Sequence, residues 1–130
     1  MNVELFALCD YAQEEGGKLS ILGLFDTLCA REFPATHPLF CVAARLRFPV
    51  YELGSHEIRF AIRDAEGRDL LPPFEGSISV DGIGIDSAAS NIALRLANVP
   101  LPGESSWRAI LFVDGAEVAH TPLYLRGPRN

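Results

Sequence analysis

An all-β fold is what this sequence predicts, a two-sheet antiparallel β-sandwich of about eight strands, immunoglobulin-like or C2-like in type. Three observations predict it. Apolar and polar residues alternate over run after run, the period of a half-buried strand. Turn signals rich in Gly, Pro and Asp recur at intervals of about 10 residues. No stretch carries a convincing helical period.

The runs Val3 to Ala12 and Lys18 to Ala30 flank Gly16-Gly17 and read as a hairpin. With a two-residue turn Glu15 faces Lys18, Cys9 faces Leu24, Asp10 faces Gly23, Asp26 faces Ala7 and Cys29 faces Glu4. Both alternating sets are apolar, with Leu19, Ile21 and Phe25 against Leu22, Leu24 and Leu28, so these strands are expected to be central or covered on both sides. Arg31 to Pro38, with its two prolines, reads as a loop crossing between sheets. Phe40, Val42, Ala44, Leu46 and Phe48 then alternate with Cys41, Ala43, Arg45 and Arg47. In the next strand Ile58, Phe60 and Ile62 point inward and Arg59 and Arg63 outward. The four arginines form one basic stripe if the two strands are neighbours, and otherwise a solvated outer face.

Pro49 to Ser55 is a loop, and Asp64-Ala65-Glu66-Gly67-Arg68 is a turn with Gly where a left-handed residue is needed. Pro72-Pro73 kinks the chain before a short strand ending at Val80. The Gly-rich loop from Asp81 to Ser87 lacks the Lys and the following helix of a nucleotide loop. Ala88 to Arg95 has a helix-favouring composition, but its strict alternation and missing cap decide for strand. The chain closes on a second hairpin, Trp107 to Val113 and Ala116 to Leu125, around Asp114-Gly115. A strict two-residue register pairs Leu111 with Val118 and Trp107 with Pro122, and turns Ile110, Phe112 and Leu123 to the other face.

With 130 residues, 48% of them hydrophobic and 22% charged, the chain reads as one ordinary globular domain over 1–130. The net charge of −6 argues against nucleic acid and anionic lipid as partners. Met1 to Phe6 lacks the basic start and apolar run of a signal peptide, and no run is long enough for a membrane span. Cys9, Cys29 and Cys41 are an odd count without metal-type spacing, so reduced thiols in a cytoplasmic protein are expected.

A family resemblance rests on Leu8-Cys9-Asp10, Gly17-Lys18-Leu19, Gly23-Leu24-Phe25-Asp26, Phe33-Pro34, the Asp64 to Gly67 turn, Leu101-Pro102-Gly103 and Val113-Asp114-Gly115. Together these motifs resemble a family of small bacterial proteins defined only as a domain of unknown function, across nearly the whole chain. The resemblance implies a stand-alone β-sandwich and brings no activity, cofactor or catalytic residue with it.

Catalytic candidates are dispersed. His37 lies in a Pro-flanked loop, His56 opens a strand and His120 sits in the last hairpin, while G-x-S-x-G, H-E-x-x-H and Cys-x-x-Cys are absent. Asp10 and Asp26, on apolar strands, are the more suggestive pair, because a carboxylate there is costly unless it is bonded. Asp64, Glu66, Asp69, Asp81, Asp86 and Asp114 near strand ends suggest calcium-binding or glycan-binding loops, although turn geometry alone explains Asp in such turns. Ile110, Phe112 and Leu123 form an apolar face on the last hairpin that calls for cover by another chain or by Leu70 to Phe74. The expectation is therefore a non-enzymatic module without metal or cofactor that binds a protein partner or itself through that face. A ligand-binding sandwich using the acidic loops is the alternative, and an enzyme using Asp10, Asp26 or His37 the third.

Overall fold

Two turns frame the fold. Gly16 and Gly17, and then Asp114 and Gly115, all take positive φ, as the tight turn of a two-residue hairpin requires. They join β1 (Asn2–Glu15) to β2 (Lys18–Phe25) and β8 (Ser105–Val113) to β9 (Ala116–Arg126). Between them lie β3 (Thr27–Cys29), β4 (Ala35–Pro49), a 3-10 turn (Val50–Glu52), β5 (Gly54–Arg63), β6 (Phe74–Val80) and β7 (Ser87–Leu101). The computed structural model describes residues 1–82 and 86–128, so residues 83–85 of the Gly-rich loop lie outside the described residues. The strands form the expected β-sandwich, a four-stranded sheet ordered β2-β1-β4-β7 and a five-stranded sheet ordered β3-β9-β8-β5-β6.

The first hairpin keeps its expected register, with Glu15 opposite Lys18 and Cys9 opposite Leu24. Beyond Phe25 the expectation fails. The chain leaves the sheet at Asp26, and β3 pairs with β9 in the other sheet, in parallel, so Cys29 lies beside Arg126 and not Glu4. The crossing places Leu28 in the core and makes β2 an edge strand, not a central one. Asp26 consequently never sits opposite Ala7.

The last hairpin corrects the sequence in a different way. Val113 faces Ala116 and Phe112 faces Glu117, but a bulge between Leu111 and Phe112 then pairs Leu111 with Ala119 and Trp107 with Leu123. One extra residue exchanges the faces of everything beyond it. Leu123 turns inward and is fully buried, so it is not part of an outer hairpin face.

β4 and β5 lie in different sheets, so the four arginines make no common stripe. Arg45 and Arg47 instead clamp Glu4 on the four-stranded sheet, at 2.8 and 2.7 Å. β4 also starts earlier than expected, at Ala35. Pro38 is tolerated in it because pairing with β1 reaches only to Cys41.

Phe40, Phe60, Trp107, Leu123 and Leu125 anchor one half of the core between the sheets, and Phe48, Leu46, Ile58 and Leu111 the other. A third cluster lies on the outer side of the four-stranded sheet, where Cys9, Ala12, Cys41 and Ala43 pack with Leu19, Ile21 and Ala93. The distal half of the first hairpin supplies its cover. Alternation breaks at Gly23, whose φ is +72° and whose missing Cβ would fall 2.3 Å from Asp10 Oδ2. Past that point the hairpin lies over β4 and β7, held by Asn91 Nδ2 donating to the Gly17 carbonyl at 3.0 Å and Arg95 donating to the Tyr11 hydroxyl at 3.1 Å.

Two substitutions test this register. Leu123→Ala is expected to lower unfolding stability by about 2–5 kcal/mol in urea melts, the cost of a core cavity, whereas an outward Leu123 would cost a fraction of that. Gly23→Ala is expected to cost more than about 1 kcal/mol, from the positive φ and the Asp10 contact together.

Candidate functional site

The expected apolar face of the last hairpin is largely closed by its own sheet. Ile110 is only 5% exposed, flanked by Ala61 on β5 and His120 on β9. Phe112 is half-buried, with the guanidinium of Arg59 6.0 Å and that of Arg63 5.7 Å from its ring centroid. Those arginines are held in turn by Glu75 at 3.6 Å and Asp69 at 3.0 Å. The result is a charged lid over an aromatic ring beside a shallow depression of about 430 Å³.

The acidic loops do not converge. Asp64 uses its carboxylate on its own turn, with Oδ1 accepting the Glu66 and Arg68 N–H groups and Oδ2 accepting Arg68 Nε at 3.0 Å. Those bonds, the Arg68 N–H foremost, hold its pKa below the ordinary value. Glu66 pairs with Arg68 and Asp69 with Arg63. These three border an open depression of about 570 Å³ together with Glu104 and Trp107. Asp81 and Asp86 lie at the other end of the sandwich, because β6 runs antiparallel to β5 and Val80 meets Gly54. Among the described residues no three His, Cys, Asp or Glu side chains are grouped to hold a metal ion.

Asp10 and Asp26 are both exposed, which removes the burial cost that made them suggestive. Asp10 lies against Gly23, and Asp26 Oδ1 accepts the Thr27 hydroxyl at 2.7 Å. His37 tilts onto the Phe40 ring at 5.9 Å. The Cys9 thiol donates to the Cys41 carbonyl, and burial pushes its pKa up to about 11, far from a reactive thiolate.

One close acid–histidine pair escaped the sequence because its members are 58 residues apart. His56 Nδ1 is 2.6 Å from Asp114 Oδ2, its Nε2 is 2.5 Å from the Glu52 carbonyl, and its ring stacks on Phe48. Both nitrogens face acceptors, an arrangement that favours the protonated ring and leaves no free nitrogen to offer a substrate. The pair ties the last hairpin turn to the 3-10 turn.

Apolar side chains remain open at the 3-10 turn, where Val50 and Tyr51 are exposed, at Leu39 and Phe74, and on β2. Leu22 is 70% exposed and Leu24 63%, on a strand whose outer edge pairs with no strand among the described residues. Tyr11, opposite Leu22, is also exposed. The sequence contained a signal for this. Gly23 interrupts the apolar run between Leu22 and Leu24, and Asp26 ends it.

A family of unknown function, DUF6941, matches residues 4–126 of the chain. No curated protein matches it in sequence. In structure the chain is similar to an immunoglobulin-like protein of Pseudomonas aeruginosa, with a TM-score of 0.45 and 10% identity over 96% of this chain and 95% of that one. It is also similar to part of the Pseudomonas fluorescens alkylpurine DNA glycosylase AlkC, solved bound to DNA containing an abasic site analog. That match has a TM-score of 0.49 and 9% identity, covering 94% of this chain and 30% of the glycosylase chain.

The His56–Asp114 pair makes stability depend on pH. The Asp114 carboxylate foremost, then the Glu52 carbonyl, raises the His56 pKa above its ordinary 6.5. Its contribution is therefore fully present below about 6.5 and lost as pH rises through the folded-state value. His56, and after it the Glu57 N–H, lowers the Asp114 pKa below 3.8, and that contribution is present above 3.8 and lost as pH falls through the folded-state value. Urea melts across pH 5 to 9 are expected to show a loss of stability on the alkaline side that His56→Gln removes. Parallel curves for the two proteins would contradict the assignment.

Proposed function

We propose that this chain, which belongs to the DUF6941 family of unknown function, works as a non-enzymatic interaction module that takes a strand of another polypeptide onto the free edge of β2. The observation that carries this reading is the exposure of Leu22 and Leu24 on an unpaired edge. Stable proteins normally blunt such edges with charge, proline or a covering segment. From Leu19 to Phe25 this strand has neither a charged residue nor a proline. An added strand would satisfy the outward backbone groups and cover the leucines, the mode of β-augmentation. Each leucine fully covered contributes about 1.5–3 kcal/mol.

The last hairpin supports the same role less well, because Ile110 and Leu123 are already buried and Phe112 lies between arginines. The unpaired thiols, Cys29 exposed among them, suit a reducing cytoplasm. No helix among the described residues is long and apolar enough to cross a membrane.

Affinity capture from the native cell extract, quantified by mass spectrometry, tests the surface. A stoichiometric bound protein, foreign or a second copy carrying a different tag, is expected with wild type and with Phe112→Glu, and is expected to be lost with Leu22→Glu. Loss with Phe112→Glu and retention with Leu22→Glu would move the contact to the hairpin face and overturn the reading.

A further inference from the structure

We infer that Cys9 and Cys41 are a latent disulfide pair, sealed under the arm of the first hairpin and oxidised to a cross-strand link when that arm lifts. Strand register carries the inference. Cys9 on β1 stands directly opposite Cys41 on β4. Directly opposed residues of an antiparallel pair share a face and hold their Cα atoms about 4.5–5.5 Å apart, inside the span of about 4.4–6.8 Å that a disulfide bridges. The Cys9 thiol already lies 3.6 Å from the Cys41 carbonyl oxygen, although the two residues are 32 positions apart in sequence. Cys29 is carried away from both, because β3 lies in the other sheet beside β9.

The cover over the pair keeps it reduced. Both cysteines are fully buried, packed with Ala12, Ala43 and the arm residues Leu19 and Ile21. The thiolate is the attacking form, and burial holds the Cys9 thiol well above neutral pH, so the closed protein resists oxidation. The arm itself is held to β7 by two exposed side-chain bonds, from Asn91 to the Gly17 carbonyl and from Arg95 to the Tyr11 hydroxyl. Arg95 stands opposite Cys41 on β7, and its guanidinium lies 5.3 Å from the Tyr11 ring centroid. Cys9, Cys41 and Arg95 therefore form one row across three strands, and the end of the row is also a clamp on the cover. Bonds exposed in this way open locally more readily than those of a core strand.

With the arm lifted, a low-molecular-weight disulfide such as oxidised glutathione is the oxidant. One cysteine thiolate attacks a sulfur of the reagent, forming a mixed disulfide and releasing one reagent thiol. The facing cysteine then attacks the mixed disulfide, forming the Cys9–Cys41 bond and releasing the second reagent thiol. The two cysteine protons end on the two released thiols, so the chain is oxidised by two electrons and the reagent reduced by two. The new bond closes a loop that contains β2 and β3 and fastens β1, the strand that carries the arm, to β4. Because a closed loop restricts the unfolded chain, the oxidised protein is expected to unfold at higher urea than the reduced one.

Incubation of the full chain with oxidised glutathione under native conditions, followed by alkylation, digestion and mass spectrometry, tests this, with far-UV circular dichroism as the check on folding. A peptide pair joined through Cys9 and Cys41 is expected, formed slowly in wild type and about tenfold faster in the double variant Asn91→Ala with Tyr11→Phe, which removes both tethers and keeps Arg95. Asn91→Ala alone is expected to act in the same direction. Leu123→Ala, which weakens the core away from the arm, is expected to leave the rate within about twofold of wild type. Wild type alone decides the pairing: a chain in which only Cys29 takes up glutathione, or in which Cys9 joins Cys29, would overturn it. Equal rates in wild type and the tether variants would overturn the gating by the arm. So would an equal acceleration by Leu123→Ala, since the link would then form through unfolding of the whole chain.

Discussion

Gly23 lies against the Asp10 side chain at φ +72°, and this close approach decides what the first hairpin can do. Any side chain there would meet the Asp10 carboxylate, and most residues would resist the backbone conformation as well. With glycine in place, the hairpin breaks its alternation, so that Cys9 and Ala12, three residues apart, are both buried in one outer cluster. The distal half then covers the outer side of the four-stranded sheet, while Leu22 and Leu24 stay in solvent. Three residues past Gly23 the chain crosses to the other sheet, and β2 is left as an edge.

The two outer faces of the sandwich are closed by different means. On the four-stranded sheet a piece of backbone with Leu19 and Ile21 does it, at the cost of ordering a hairpin arm. On the five-stranded sheet Arg59 and Arg63 do it, lying over Phe112 and pairing with acids on the neighbouring turn and strand. Such cation–π contacts contribute about 0.5–1 kcal/mol each at exposed sites, less than the burial of a leucine. Yet they keep the aromatic ring from forming a bare apolar patch. Among the described residues, β2 is an edge strand on which two leucines, Leu22 and Leu24, are exposed together.

What was legible in the sequence was whatever depends on a few adjacent residues. Gly16-Gly17 and Asp114-Gly115 specify tight turns by themselves, and the registers nearest to them, Glu15 with Lys18 and Phe112 with Glu117, follow directly. The alternation of Phe40 to Phe48 and of Ile58 to Ile62 identified inward residues that are buried in the core. What was not legible depends on residues distant in sequence. A bulge between Leu111 and Phe112 leaves the composition unchanged, but it moves Leu123 from the outer face to the core. A three-residue strand such as β3 has too few side chains to show a period, so its parallel pairing with β9 left no local sign. The separation of Arg45 and Arg47 from Arg59 and Arg63 is a matter of topology alone. His56 and Asp114 were each visible, one as a strand opener and the other as a turn residue, but nothing local linked them.

The edge of β2 as a contact surface is the central claim, and backbone amide hydrogen exchange over Lys18 to Phe25 tests it most directly, because it reports on the strand edge without altering a side chain. Measured at low and high protein concentration, and in extract-captured complexes, the outward amides of this segment are expected to exchange freely when dilute and to become protected on association. The amides of β7, the opposite edge of the same sheet, are expected not to change. Protection that appears on β7 or on the last hairpin, with β2 exchanging freely throughout, would contradict the claim.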